Sequence, residues 1–274
     1  MSEPLSLFWW KGAPNFGDDL SRAIVGHVSG RDVAWADKQQ ADMVAIGSIL
    51  QGVRNQIRNG APRAHALRVW GTGLMHPVAA DFLGELRVHL LRGPITASLL
   101  GIEARSFGDP GLLAAETFGP VAQQDYIALV PHISQIDDPM VAEIVAADPA
   151  LRLVDPRRTA DEVCAEIAAA AHVISSSLHG LVVADSYGVA NTWLDPAGIH
   201  AMSALKFYDY AAGIQRPLAS PVHLGDVPAL LPRLKDTNIT YADGIAAGKE
   251  ALMAHFPVSL RPRSPLPVER ANYA

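Results

Sequence analysis

The chain has 274 residues, 49% of them hydrophobic and 18% charged, with a formal net charge of −6. This composition excludes an intrinsically disordered chain and a broad nucleic-acid-binding surface, and the length suits two α/β domains. Cys164 is the single cysteine, which excludes intrachain disulfides and cysteine-based metal clusters.

In chain order, Leu5 to Trp10 reads as a short strand running into the loop Lys11–Asp19. Leu20 to Val28 then has helical spacing, with Asp18 or Asp19 as the expected cap. Asn15, Asp18 and Asp19 place an amide and two carboxylates in this loop, a set suited to hydroxyl recognition or proton abstraction. The spacing G-x-G-x-x-G is absent, so the loop is not a dinucleotide fingerprint. Asp42–Ile46 and Leu67–Trp70 are further strands, ending in Gly47-Ser48 and Gly71-Thr72-Gly73. Leu86–Leu91 ends at Arg92, whose planar fork could hold a carboxylate or phosphate or close a structural salt bridge. Pro94 suits a first helical turn and Gly101 a helix stop. Asp109, in Phe107-Gly108-Asp109-Pro110-Gly111, reads as a turn former.

Thr117–Asp125 reads as a linker, dividing an N-terminal domain over 1–118 from a C-terminal domain over 119–260. In the second domain Tyr126–Val130 is a strand that ends at Pro131-His132-Ile133-Ser134, making His132 and Ser134 candidate site residues. Val141–Ala147 and Ala160–Ala170 have helical patterns, with a strand at Leu151–Val154 between them. Ala171–Ile174 is a buried strand, followed by Ser175-Ser176-Ser177-Leu178-His179-Gly180 and an apolar helix from Leu181. Three hydroxyls, an imidazole and a glycine thus stand at a strand-to-helix turn, at the carboxyl edge where parallel sheets bind ligands. The helix N-terminus behind them favours an anion. The plainer reading is a capped helix with Ser176 or Ser177 as N-cap and His179 packed.

Asn191–Leu194 is the next strand, and Lys206-Phe207-Tyr208-Asp209-Tyr210 either covers a ligand or anchors a helix. Thr240–Phe256 is a closing helix, and 261–274 is a proline-rich, basic stretch expected to be a disordered tail. Gly244–Lys249 is not a phosphate loop, because Glu250 stands where Ser or Thr is needed. No metal-ligand spacing appears among the ten histidines. The N-terminus lacks a secretory signal and no apolar run could span a bilayer, so a cytoplasmic location is expected, with at most peripheral association at the inner face of the membrane.

Several of these stretches, in order, resemble the polysaccharide pyruvyltransferase family, especially its exopolysaccharide ketal-pyruvate transferases. They are Trp9-Trp10-Lys11-Gly12, Asn15–Leu20, Arg92–Thr96, Gly108–Leu113, Val130-Pro131-His132, Ser175–Gly180 and Lys206–Tyr210. The resemblance implies an α/β fold of two Rossmann-like domains facing across a cleft, GT-B-like. It implies phosphoenolpyruvate as donor and no separate cofactor or metal. The acceptor would be a sugar of a polysaccharide repeat, free or lipid-linked. Relatives that carry an Arg just before Leu-His-Gly use it on the donor. Here that position is Ser177, which shifts donor binding toward Arg92, Ser176, Ser177, Lys206 and His132.

Making a ketal from an enol phosphate requires a proton on the terminal methylene, a cradle for the anion and a base for the hydroxyls. His179 is expected as acid or phosphate ligand and Arg92 on the carboxylate or phosphate. Asp18 or Asp19, with Asn15, is expected at the acceptor. The rival readings are a GT-B glycosyltransferase using a nucleotide sugar and a non-catalytic glycan-binding subunit.

Overall fold

The computed structural model describes residues 3–196, 204–234 and 237–261. The first unit runs β1 (Leu5–Phe8), α1 (Phe16–Ser29), β2 (Val33–Trp35), β3 (Met43–Val44), α2 (Leu50–Asn59), β4 (Leu67–Trp70), β5 (Leu86–Leu90), α3 (Pro94–Leu100) and α4 (Ala114–Phe118). The second runs β6 (Ile127–Val130), α5 (Pro139–Ala147), β7 (Leu151–Leu153), α6 (Ala160–Ala169), β8 (His172–Ser175), α7 (Leu178–Ser186), β9 (Asn191–Trp193), α8 (Ala204–Gly213) and α9 (Val227–Leu234). The last helix is α10 (Ala242–His255).

The strands form two sheets, ordered β2-β1-β3-β4-β5 and β7-β6-β8-β9, and every pairing within them is parallel. Parallel strands cannot be joined by tight hairpins, so each pair requires a crossover. With helices over both faces, central strands are buried throughout, which is why β6 and β8 read as apolar runs. Two parallel sheets flanked by helices match the expected α/β class with two Rossmann-like units.

One hydrophobic core runs through both units and includes Leu7, Phe16, Leu20 and Trp70 from the first and Val130, Val173, Leu181 and Val182 from the second. Helix α1 lies at the junction, where the Phe16 amide donates to Pro156 O at 2.9 Å. Helix α10 follows the second unit in sequence but packs on the first. The Trp70 indole donates to Leu252 O at 3.0 Å, and its ring meets Phe256 edge-on at 5.0 Å. Among the described residues, no helix is long and apolar enough to cross a membrane.

Five elements differ from the sequence reading. Strand β2 and helix α2 carry few buried apolar residues, so their patterns are faint. Helix α9 contains Pro232, which disguises it. Helix α1 begins at Phe16, not Leu20, and its cap is Asn15, whose side chain accepts from the Gly17 amide at 3.1 Å. Asp18 and Asp19 sit in the first turn, so the expectation that one of them caps the helix is corrected. Helix α7 likewise begins at Leu178, which puts His179 inside its first turn. The tail expected at 261–274 lies, beyond Arg261, outside the described residues.

Candidate functional site

Both sheets direct their carboxyl ends toward the junction of the units. From the first come the β1–α1 loop, Gly47-Ser48 after β3, Thr72-Gly73 after β4 and Arg92 after β5. From the second come Ser175–His179 after β8, while Lys206 is added by the first turn of α8. Sequence placed these groups at strand ends; the fold brings them to one place.

His179 spans the two units. Its ring lies against Gly17 of α1, so closely that a Cβ at Gly17 would stand 2.2 Å from Nδ1 and 2.8 Å from Cγ. Only glycine admits the imidazole there. The Nε2 atom is buried and has no hydrogen-bond partner. Burial, then the positive charges of Lys206 and Arg92, lowers the His179 pKa to about 3. The ring is therefore neutral near pH 7 in the ligand-free protein. Of the two expected roles, acid or phosphate ligand, the neutral ring with its unpartnered Nε2 suits hydrogen bonding to a ligand more directly. Gly17→Ala is expected to displace this ring and abolish more than nine-tenths of the activity, while the melting temperature moves only a few degrees. Full activity in that variant would show that the contact has no bearing on the chemistry.

Asp18 occupies the third position of α1, where its Oδ2 accepts from the Asn15 side-chain amide at 2.8 Å. Its other oxygen lies near Gly47, 3.8 Å from where a Cβ would stand. Burial raises the Asp18 pKa to about 7, against the opposing pull of Lys206 and the Asn15 hydrogen bond. Lys206, only 8% exposed, has no hydrogen-bond partner among the described residues. Burial and Arg92 lower its pKa to about 8, with Asp18 pulling the other way. Asp18 and Lys206 feel each other's charge, and burial moves both pKa values toward neutrality, the range in which general acid–base catalysis is efficient.

Arg92 does not offer its fork to a ligand. The side chain is 0% exposed. Its Nε donates to Asp209 Oδ2 at 2.9 Å, Nη2 to Leu74 O at 2.8 Å, and Nη1 to the Ser48 hydroxyl. Asp209 also accepts from the amide and hydroxyl of Thr96, at 2.8 and 2.7 Å. The expectation of Arg92 as a donor ligand is corrected: it is the first unit's half of a buried ion pair that fixes α8 to α3. Its charge is still felt at His179 and Lys206.

Ser176 is corrected for a similar reason. Its hydroxyl accepts from the His132 amide at 2.9 Å and donates to Gln135, and the side chain is fully buried. It ties β8 to the turn after β6. His132 stands in that turn, its Nδ1 accepting from the Ser134 amide at 3.2 Å. Ser177 is the N-cap of α7, yet its side chain makes no capping hydrogen bond. That hydroxyl and the first amides of α7 remain for a ligand. Asp19 is part-buried beside Asp18 in the same turn.

The sequence reading passed over three participants. Asp209 was visible only as a neighbour of aromatics, although a Lys and an Asp three residues apart on one helix share a face. Gly17 was read as a loop glycine. Asp109 does form its turn, accepting from the Gly111 amide at 2.9 Å, but its second oxygen is buried without a partner and burial raises its pKa to about 6.

The segment that supplies Thr72, Arg92, Asp109, Ser177 and His179 lies within residues 72–197, which match the family profile of polysaccharide pyruvyl transferases. The chain carries a polysaccharide pyruvyl transferase domain. Over 78% of its length it is also 26% identical to the succinoglycan biosynthesis protein ExoV of Rhizobium meliloti (strain 1021), covering 67% of that protein. Among solved structures, an uncharacterised protein of Klebsiella pneumoniae aligns with 79% of this chain and 93% of its own, at TM-score 0.47 and 12% identity. An assigned UDP-N-acetylglucosamine 2-epimerase of Listeria monocytogenes aligns with 91% and 95%, at TM-score 0.45 and 13% identity. In the pyruvyl transferase domain the profile ends within the second unit. Asn15, Asp18 and Lys206 lie outside it and reach the site only through the fold.

Proposed function

We propose that this pyruvyltransferase takes pyruvate from phosphoenolpyruvate and closes it as a ketal over two hydroxyls of a sugar in an exopolysaccharide repeat. The observation that supports this reading is the junction of His179, Lys206 and Asp18: an unpartnered buried nitrogen, a buried ammonium with no hydrogen-bond partner among the described residues, and a carboxyl group whose pKa burial raises to about 7. An anionic donor suits this place because it relieves the burial of Lys206 and raises the proton affinity of His179. Its phosphate and carboxylate would meet Lys206, His179 Nε2, the Ser177 hydroxyl and the first amides of α7.

In the reaction, a proton added to the methylene carbon leaves an oxocarbenium-like centre at the middle carbon. Two acceptor hydroxyls add there in turn and inorganic phosphate leaves as its C–O bond breaks; of the two hydroxyl protons, one makes good the proton spent on the methylene and the other ends on the phosphate. Asp18 exchanges protons with the acceptor hydroxyls, and Asn15 holds its carboxyl group. The donor is the only small-molecule reactant needed. Phosphoenolpyruvate is a cytoplasmic metabolite, so this reading goes with transfer in the cytoplasm, to an acceptor that is free or, at the inner membrane face, lipid-linked.

The test is a melting experiment with phosphoenolpyruvate or UDP-glucose. A ligand at 100 times its dissociation constant stabilises the folded state by about 2.7 kcal/mol, so phosphoenolpyruvate is expected to raise the melting temperature by several degrees and UDP-glucose to leave it unchanged. The opposite pattern would replace this reading with nucleotide-sugar glycosyl transfer.

A further inference from the structure

At the carboxyl ends of β1 and β2 the molecule exposes two indoles, Trp10 (45% exposed) and Trp35 (42%). Both are held. Trp35 Nε1 donates to Trp9 O at 3.0 Å. Trp10 lies across Gly12, where a Cβ would come within 2.2 Å of Cζ2, 2.5 Å of Cε2 and 2.9 Å of Cη2. The glycine therefore seats the ring, and any side chain would lift it. The Lys11 ammonium, next along the same loop, stands 4.8 Å from the Trp9 ring centre and 5.1 Å from that of Trp35. Trp9 itself is buried in the core shared by both units. The loop that, three residues beyond Gly12, supplies Asn15 and then Asp18 thus carries one seated, exposed indole, and its Lys11 links it to the exposed Trp35 at the end of β2.

We infer that Trp10 and Trp35, with Lys11, form a subsite for the glycan of the acceptor outside the sugar that receives pyruvate. This inference rests on the proposed pyruvyl transfer, since it extends the acceptor side of that site. Three considerations select a saccharide. An indole held flat matches the apolar C–H face of a pyranose ring, and its stiffness limits the entropy lost on contact. The adjoining ammonium supplies donors to ring hydroxyls or to an acidic substituent. The surface is also continuous with the loop bearing Asp18, so a glycan lying on it directs its next sugar toward the reacting groups. A protein partner or membrane accounts for exposed indoles but not for the place of Trp10 on the loop that bears Asp18.

The test uses an array of acid-depyruvylated bacterial exopolysaccharide oligosaccharides, including that of succinoglycan, with the full chain and its Trp10→Ala, Trp10→Phe and Gly12→Ala variants. Wild type is expected to bind at least one oligosaccharide. Trp10→Ala should weaken that binding, and raise the half-saturating acceptor concentration, by about tenfold, with the rate at saturating acceptor within about twofold. Trp10→Phe should restore much of the affinity because a flat ring returns. Gly12→Ala should behave like Trp10→Ala although it deletes no aromatic group. Phosphoenolpyruvate binding should be equal in all four proteins. If wild type binds phosphoenolpyruvate but no oligosaccharide, or if Trp10→Ala binds as wild type does, the subsite is refuted. Unchanged acceptor affinity in Trp10→Ala, with loss of a dimer in sedimentation or of binding to anionic lipid vesicles, would also overturn it. Failure of wild type to bind phosphoenolpyruvate would instead count against the proposed function.

Discussion

Asp209→Ala is expected to cost about 3–5 kcal/mol of folding stability, because it leaves the Arg92 guanidinium buried without its counter-ion. The same substitution removes the acceptor for the Thr96 amide and hydroxyl, both buried. Equilibrium urea unfolding followed by circular dichroism measures the loss. The consequence reaches the active site, since Lys206 sits one turn before Asp209 on α8. Transfer activity should therefore fall even at temperatures where the variant is folded. Replacing both partners, as Arg92→Met with Asp209→Leu, should recover part of the stability, because the main penalty is the unpaired buried charge. A loss below about 1 kcal/mol in Asp209→Ala would mean that the pair does not hold the units together.

Asp18→Asn is expected to separate the two halves of the reaction. Phosphoenolpyruvate binding should persist, because the groups proposed to hold the donor are Lys206, His179, Ser177 and the α7 amides. Transfer should fall by about 10²–10⁴-fold, the range for removal of a positioned acid–base group. Stability should change with pH in a defined direction. The Asp18 pKa is raised from 3.8 to about 7 on folding, so between these values the folded chain holds a proton that the unfolded chain has released. Wild-type stability from this group consequently declines as pH rises from about 4 to 7 and is level above. The asparagine has no such term. The stability of Asp18→Asn relative to wild type should rise across that window and then plateau. Donor binding lost in Asp18→Asn, or a flat stability difference from pH 4 to 8, would refute this assignment.

Much of the fold was legible because its signals are local. The run Tyr126–Val130 is apolar throughout, and Leu67–Trp70 is apolar but for Arg68 and ends in Gly71-Thr72-Gly73, as buried parallel strands do. Asn15 carried the true cap of α1, but Asp18 and Asp19 stood nearer the apolar periodicity and drew the boundary too late. Strand β2 and helix α2 bury few side chains, so hydrophobic patterning had little to report.

Candidate site residues were legible as residue types at strand ends, but not as partners. Arg92 and Ser176 had the right chemistry in the right position. Burial decided otherwise, committing one to Asp209 and the other to His132 and Gln135. Asp209 lies 117 residues from Arg92, a separation over which sequence spacing carries no contact information.

By itself, the sequence determined the α/β class, the strand-to-helix turns, and the set of acids, bases and hydroxyls that the turns carry, because hydrophobic periodicity and capping act within a few residues. Tertiary structure alone decided which groups are dry, which are paired and which remain open. Those properties depend on the dielectric and charges that distant segments bring together: Gly17 against His179, Lys206 with Asp18, and Arg92 with Asp209. The same desolvation that pushes His179 down to about 3 and Asp18 up to about 7 exists only once both sheets have closed on one core.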